Sequence, residues 1–153
     1  MKKVLIALDY GLSAQKIAEK GFELAKSMNA KVTLLHVVAE ESYYSSMDSA
    51  PFMGFYGNDF FNMIDSEGLI DSSLNFLEKI KNHLNDSTIE TIAVQGDFAT
   101  VILETATSQH STIIVVGSHS KNWLEKVVMG SVTESVLAKT KIPMFIIPIK
   151  EHK

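Results

Sequence analysis

At 153 residues the chain has the length of one domain, because a single core commonly closes within about 100–200 residues. Hydrophobic residues at 46% and charged ones at 21% suit a chain that buries a core, and a net charge of −4 gives no electrostatic footprint for nucleic acid. The absence of cysteine excludes disulfides, thiolate nucleophiles and cysteine-held metals. Apolar runs stop short of the roughly 20 residues a membrane helix needs, and the start MKKVLIALD reaches Asp9 too soon for a secretory signal. A cytoplasmic protein without a membrane partner is expected.

In chain order, an apolar run at Lys3–Leu8 precedes a helix-period stretch at Ser13–Met28 and a second run at Lys31–Val38. Ser13 is the expected N-cap of the first helix, Ile17, Phe22, Leu24, Ala25 and Met28 form its apolar face, and Asn29 stops it. The segment 40–68 reads as a variable insertion rich in aromatics, among them Tyr43, Tyr44, Phe52, Phe55 and Tyr56. Loops of that length are uncommon unless functional or poorly ordered. Two readings stay open, a cover over a ligand or partner and a loose insertion with a short helix near Asp59–Ile64.

A second helix is predicted at Leu69–Leu84, with Ile70, Leu74, Leu77, Ile80 and Leu84 on one buried stripe. A strand follows at Thr88–Val94, then a helix at Ala99–Gln109 capped by Asp97 after Gly96. The rhythm closes with a strand at Thr112–Val116, a helix at Ser131–Lys139 and a last run at Pro143–Pro148. Alternation of this kind predicts an α/β fold, a single-domain open parallel sheet of five strands with four helices on its two faces.

The stretch from Val115 to Ser135 carries the most chemistry. An apolar strand runs into Gly117, a loop follows, and Gly130-Ser131 opens a helix whose first N–H groups suit an anion. Gly117 is expected to let the backbone approach a ligand, with Ser131 and Thr133 adding hydroxyl donors. Each feature alone also reads as a turn or a cap. Asp9 stands at the end of a central strand, where open parallel sheets bind ligands, though a carboxylate capping the turn explains it almost as well.

His36 reads as a satisfied buried histidine, and His119 is the histidine placed to meet a phosphate. Lys121 and Lys126 read as solvated, and no pair of histidines has the spacing of a metal site. Neither a P-loop nor a Gly-x-Gly-x-x-Gly fingerprint is present, and no base stands beside a nucleophile, so efficient catalysis is not expected.

Gly117-Ser118-His119-Ser120, nine further residues and Gly130-Ser131 resemble the G-x-x-G-x9-G-[ST] pattern of ATP-binding members of the universal stress protein family. The resemblance extends to the early strand ending in Asp9, the Leu35–Val38 strand end, the Gly96-Asp97 turn and the strand after Pro143. It implies a universal stress protein domain over 1–150, Rossmann-like and adenine-nucleotide alpha-hydrolase-like, with strand order 3-2-1-4-5.

The implied cofactor is ATP, with magnesium or manganese carried by its phosphates. The implied site is Ala7, Leu8, Asp9, Val38, Val116, Gly117, Ser120, Gly130, Ser131, Val132 and Thr133. Asp9 and Val38 would hold the adenosine; Gly117, Gly130, Ser131, Val132 and Thr133 would hold the phosphates. Ser120 replaces the second glycine of the pattern, and where that backbone is left-handed the replacement costs roughly 1–2 kcal/mol of binding. The resemblance further implies a homodimer through Pro143–Pro148 and a nucleotide-binding regulator of a stress response. A slow ATPase or autokinase, and an interaction protein with a vestigial pocket, remain open beside it.

Overall fold

The computed structural model describes residues 1–11, 13–39, 66–118 and 130–149. Among them are five strands and four helices: β1 (Lys3–Leu8), α1 (Ala14–Ser27), β2 (Lys31–Val38), α2 (Ser66–Leu84), β3 (Glu90–Gln95), α3 (Phe98–Ser108), β4 (Ile113–Gly117), α4 (Ser131–Lys139) and β5 (Met144–Ile147). The strands form one sheet in the order β3-β2-β1-β4-β5, and every neighbouring pair is parallel. All five therefore end on the same edge. The predicted α/β architecture and strand order hold.

β1 and β2 are buried on both faces, so their side chains divide between two cores. Val4, Ile6, Leu8, Val32 and Leu34 pack with α1 and with Leu77 and Ile80 of α2. Leu5, Leu35, Val37, Ile114 and Val116 pack on the other face with Val101, Ile102 and Val136 of α3 and α4. This alternation explains why the strands read as unbroken apolar runs.

Several local expectations change. Ser13 occupies the N-cap position of α1, but its backbone is already helical and its hydroxyl caps nothing. Asp97 does cap, accepting from the Thr100 N–H at 3.1 Å and from the Thr100 hydroxyl at 2.7 Å. Helix α2 begins at Ser66, so the last three residues assigned to the insertion belong to it.

Its buried stripe is Leu69, Ser73, Leu77 and Ile80, with Ile70 and Leu74 only half-buried. Ser73 tolerates burial because its hydroxyl donates to the Leu69 carbonyl at 2.9 Å. β3 starts at Glu90 because Thr88 is held in a turn, its N–H and hydroxyl both donating to the Asp86 carboxylate. The short helix expected near Asp59–Ile64 lies outside the described residues.

Helices α1, α2 and α3 are each followed by a residue with left-handed backbone, Asn29 (φ 52°), Asn85 (φ 55°) and His110 (φ 55°). Asparagine accepts that region with little strain, while histidine pays more for its Cβ. His110→Gly is expected to raise stability by about 0.5–1 kcal/mol, seen as a higher urea midpoint at unchanged slope. An unchanged or lowered midpoint would show that the His110 side chain compensates its backbone.

Candidate functional site

The carboxyl ends of the strands gather the candidate residues on one edge of the sheet. β1 stays paired with β2 as far as Leu8 opposite His36, whereas its bridged pairs with β4 end at Ile6 opposite Val115. The neighbours of β1 lead in opposite directions along the sheet, and such a reversal of strand order is where open parallel sheets open a crevice. Asp9 leaves β1 at this point and Gly117 ends β4 there.

Asp9 is exposed, and its Oδ1 accepts from the Gly11 N–H at 3.0 Å. The carboxylate thus supports its own turn, and a carboxylate has room for further donors. Leu8, Val38 and Val116 have their side chains in the core, so they can meet a ligand only through the backbone. Ala7 is half-buried beside Leu8.

A knot of hydrogen bonds fixes the other wall. The Gly130 N–H donates to the Ser118 carbonyl at 2.8 Å, and the Thr133 hydroxyl donates to the Gly117 carbonyl at 3.0 Å. Ser118, only 1% exposed, receives the Ile149 N–H on its hydroxyl at 3.0 Å. The start of α4 is thereby tied to the end of β4. The first α-helical bond of α4 runs from the Glu134 N–H to the Gly130 carbonyl at 3.0 Å. The N–H groups of Ser131, Val132 and Thr133 consequently have no partner within the helix, and Gly130 has no side chain to cap them. Ser131 is exposed at this end.

One expectation is corrected here and another gains a packing reason. Thr133 is buried with its hydroxyl spent on Gly117, so what it can offer an anion is its backbone N–H. Gly117 is demanded by packing: a Cβ there would lie 2.4 Å from Ile149 Cδ1 and 2.5 Å from Ile17 Cδ1. Ser120, His119, Lys121 and Lys126 lie outside the described residues. No cluster of three metal-ligating side chains occurs among the described residues.

Sequence reasoning missed Ser118, whose hydroxyl meets Ile149 31 positions away, and the group around His36. The His36 Nδ1 lies 2.8 Å from the Leu8 carbonyl, but its buried Nε2 has no hydrogen-bond partner among the described residues. The histidine expected to be satisfied is therefore satisfied on one nitrogen only. Burial pushes its pKa below the usual histidine value, and the Leu8 carbonyl and Asp9 pull less strongly the other way.

A family model described as the universal stress protein family matches residues 1–148. The chain belongs to the universal stress protein family. Universal stress protein MJ0577 of Methanocaldococcus jannaschii is 31% identical over 157 residues, an alignment covering 97% of this chain and 96% of that protein. The solved MJ0577 structure superposes with a TM-score of 0.72 at 30% identity, covering 99% of this chain and 98% of the other. Two more distant solved structures share the fold. One is a universal stress protein in complex with cAMP (TM-score 0.62, 16% identity, 95% of each chain). The other is the universal stress protein from Archaeoglobus fulgidus in complex with dAMP (TM-score 0.63, 17% identity, 98% of each chain).

In this universal stress protein Ser118 is the residue that closes the β4 end. Ser118→Ala strands the buried Ile149 N–H and is expected to lower stability by about 1–3 kcal/mol, read from urea unfolding. A loss below a few tenths of a kcal/mol would mean that water replaces the hydroxyl.

Proposed function

We propose that this universal stress protein binds an adenine nucleotide, with ATP as the ligand, at the carboxyl edge between β1 and β4, and that occupancy regulates a cytoplasmic stress response. The observation that carries the reading is the start of α4. Three backbone N–H groups without helical partners, at the positive end of a helix, stand beside the strand end that delivers Asp9. The donors fit the polyphosphate of such a ligand. Asp9 would accept from a ribose or adenine group and the Val38 backbone would meet the base. Gly117, Gly130, Ser131, Val132 and Thr133 would receive the phosphates, with Ser120 from the loop between them. Magnesium or manganese would arrive on the phosphates. The cAMP and dAMP complexes of proteins with this fold support the adenine class.

About 30 heavy atoms at roughly 0.3 kcal/mol each limit ATP affinity to sub-micromolar at best. Isothermal titration with ATP and magnesium should show saturable heat. Asp9→Ala should weaken binding about 10–100-fold, the worth of one charge-assisted hydrogen bond. Absence of both heat and thermal shift at millimolar ATP would overturn the reading. ADP production over many turnovers would replace the regulator by a slow ATPase.

The same reading includes a homodimer through Pro143–Pro148. β5 is the last strand of the sheet, with Phe145 exposed at 41%, and an open groove beside it is lined by Lys16, Lys20, Leu24, Phe145, Ile147 and Pro148. This groove lies along α1 and the sheet edge, away from the start of α4. An apolar edge strand invites antiparallel pairing with a second copy, and Pro143 and Pro148 limit its extent. Ile146 packs against the core, so Phe145→Lys is the cleaner probe. Sedimentation should find a dimer that Phe145→Lys dissociates; a monomeric wild type or a dimeric variant would count against this interface.

A further inference from the structure

His36 is the only buried side chain among the described residues that titrates near neutral pH, at 4% exposure. Its Nδ1 lies 2.8 Å from the Leu8 carbonyl oxygen. A carbonyl only accepts, so Nδ1 carries the proton, and the neutral ring leaves Nε2 as a bare acceptor. The ring packs on Tyr10 with centroids 4.1 Å apart and stands 6.1 Å from Phe76. At the far end of Tyr10 the hydroxyl meets Ser73 Oγ at 2.5 Å. Ser73 spends its own proton on the Leu69 carbonyl at 2.9 Å, so in this pair Tyr10 donates. Between the Leu8 carbonyl and Tyr10 stands Asp9, whose two neighbours in the chain are thus both held, one by β2 and one by α2.

We infer that His36, in its neutral Nδ1–H form, is a positioning residue that sets the Asp9 carboxylate for the nucleotide and releases it when the ring takes a second proton. The inference rests on the nucleotide reading above. The groups that face the ring decide the direction of the pH effect. The turn after β1 contributes the Asp9 carboxylate and the Tyr10 phenol. α2 contributes uncharged Ser73 and Phe76. The register neighbour on β3 is Ala93, and the buried residues of α1 are Ala14, Ile17, Ala18, Gly21, Phe22 and Ala25. Burial disfavours the imidazolium, and the Leu8 carbonyl and the Asp9 carboxylate favour it less strongly. The ring therefore stays neutral to a lower pH than an ordinary histidine, whose value is about 6.5. Positioning is intact at pH 8 and fails as the pH falls beneath that value, because the buried cation must seek water and breaks its contact with Tyr10.

The test is ATP affinity, measured with magnesium between pH 8 and 5 for wild type, His36→Asn and His36→Leu. Folding is checked by circular dichroism at each pH. Asparagine places an N–H near the Nδ1 position and does not titrate; leucine has no donor. At pH 8 His36→Asn should bind within about threefold of wild type, and His36→Leu about tenfold or more weaker, the scale of a hydrogen bond lost from a buried acceptor. As the pH falls, wild type should weaken relative to His36→Asn. Titration of the ATP phosphate is common to both proteins and drops out of the comparison. Equal affinity of His36→Leu and wild type at pH 8, or parallel pH profiles for wild type and His36→Asn, would overturn the inference and leave nucleotide binding standing. Failure of wild type to bind ATP at pH 8 would instead remove the nucleotide reading and this inference with it. Nitrogen NMR of the wild-type imidazole provides a readout that needs no variant: a proton on Nε2 and none on Nδ1 at pH 8 would overturn the inference.

Discussion

Hydrogen bonds made by two adjacent residues, Gly117 and Ser118, tie the start of α4 and the segment after β5 to the end of β4. The Gly117 carbonyl takes the Thr133 hydroxyl, the Ser118 carbonyl takes the Gly130 N–H, and the Ser118 hydroxyl takes the Ile149 N–H. These contacts bring the start of a helix and the segment after β5 onto the end of one strand. Without them the free N–H groups of α4 would have no fixed direction. A helix terminus attracts an anion wherever it points, but it discriminates only when its position relative to other groups is set. Gly117 belongs to the same arrangement from the other side, since Ile17 and Ile149 fill the space its Cβ would take.

The sheet supplies the rest of the geometry. Because all five strands run parallel, β1 must deliver Asp9 to the edge where β4 delivers Gly117. Both central strands are buried on two faces, so neither can slip in register without moving two cores at once. Rigidity concentrates in the centre of the sheet. β3 and β5, at its borders, carry the more exposed side chains, among them Val94 at 37% and Phe145 at 41%. The candidate site thus lies at the ends of the stiffest strands, while each edge strand carries one exposed large apolar side chain.

What the sequence made legible follows the range of the interactions involved. Lys3–Leu8 and Lys31–Val38 were readable to the residue because burial on both faces leaves an unbroken apolar run. Asp97 was readable as a cap because its partner, Thr100, is three residues away. Ser13 satisfies the same local rule and fails, since its backbone is already helical. Ser73 was passed over in α2 because a serine interrupts an apolar pattern, and what admits it to the core is Leu69 on one side and Tyr10, 63 positions away, on the other. The Ser118 contact with Ile149 and the His36 contact with the Leu8 carbonyl escaped for the same reason, although the burial of His36 was legible. The motif around Gly117 and Gly130 marked the region of the site, while the roles of Gly117 and Thr133 became clear only from contacts with Ile149, Ile17 and each other.

The two walls of the crevice are consequently built in different ways. On the α4 side the fixing groups are a threonine and a serine hydroxyl and backbone amides, none of which changes charge in the physiological range. On the β1 side the fixing group is an imidazole, with a tyrosine and a serine behind it. On the readings proposed above, a ligand that touched both walls would meet one whose geometry is constant and one whose geometry follows the state of a single proton. The difference also separates the tasks that binding requires. Recognition of negative charge needs donors that are always present, and the amides at the start of α4 meet that need at any pH. Orientation of the neutral part of a ligand would depend on the direction of one carboxylate, and there a weakly held element would cost affinity without removing attraction. A site divided in this way would keep its anion preference under acid conditions while losing discrimination for the rest of the molecule, because the two contributions reside on strands that do not share their fixing hydrogen bonds.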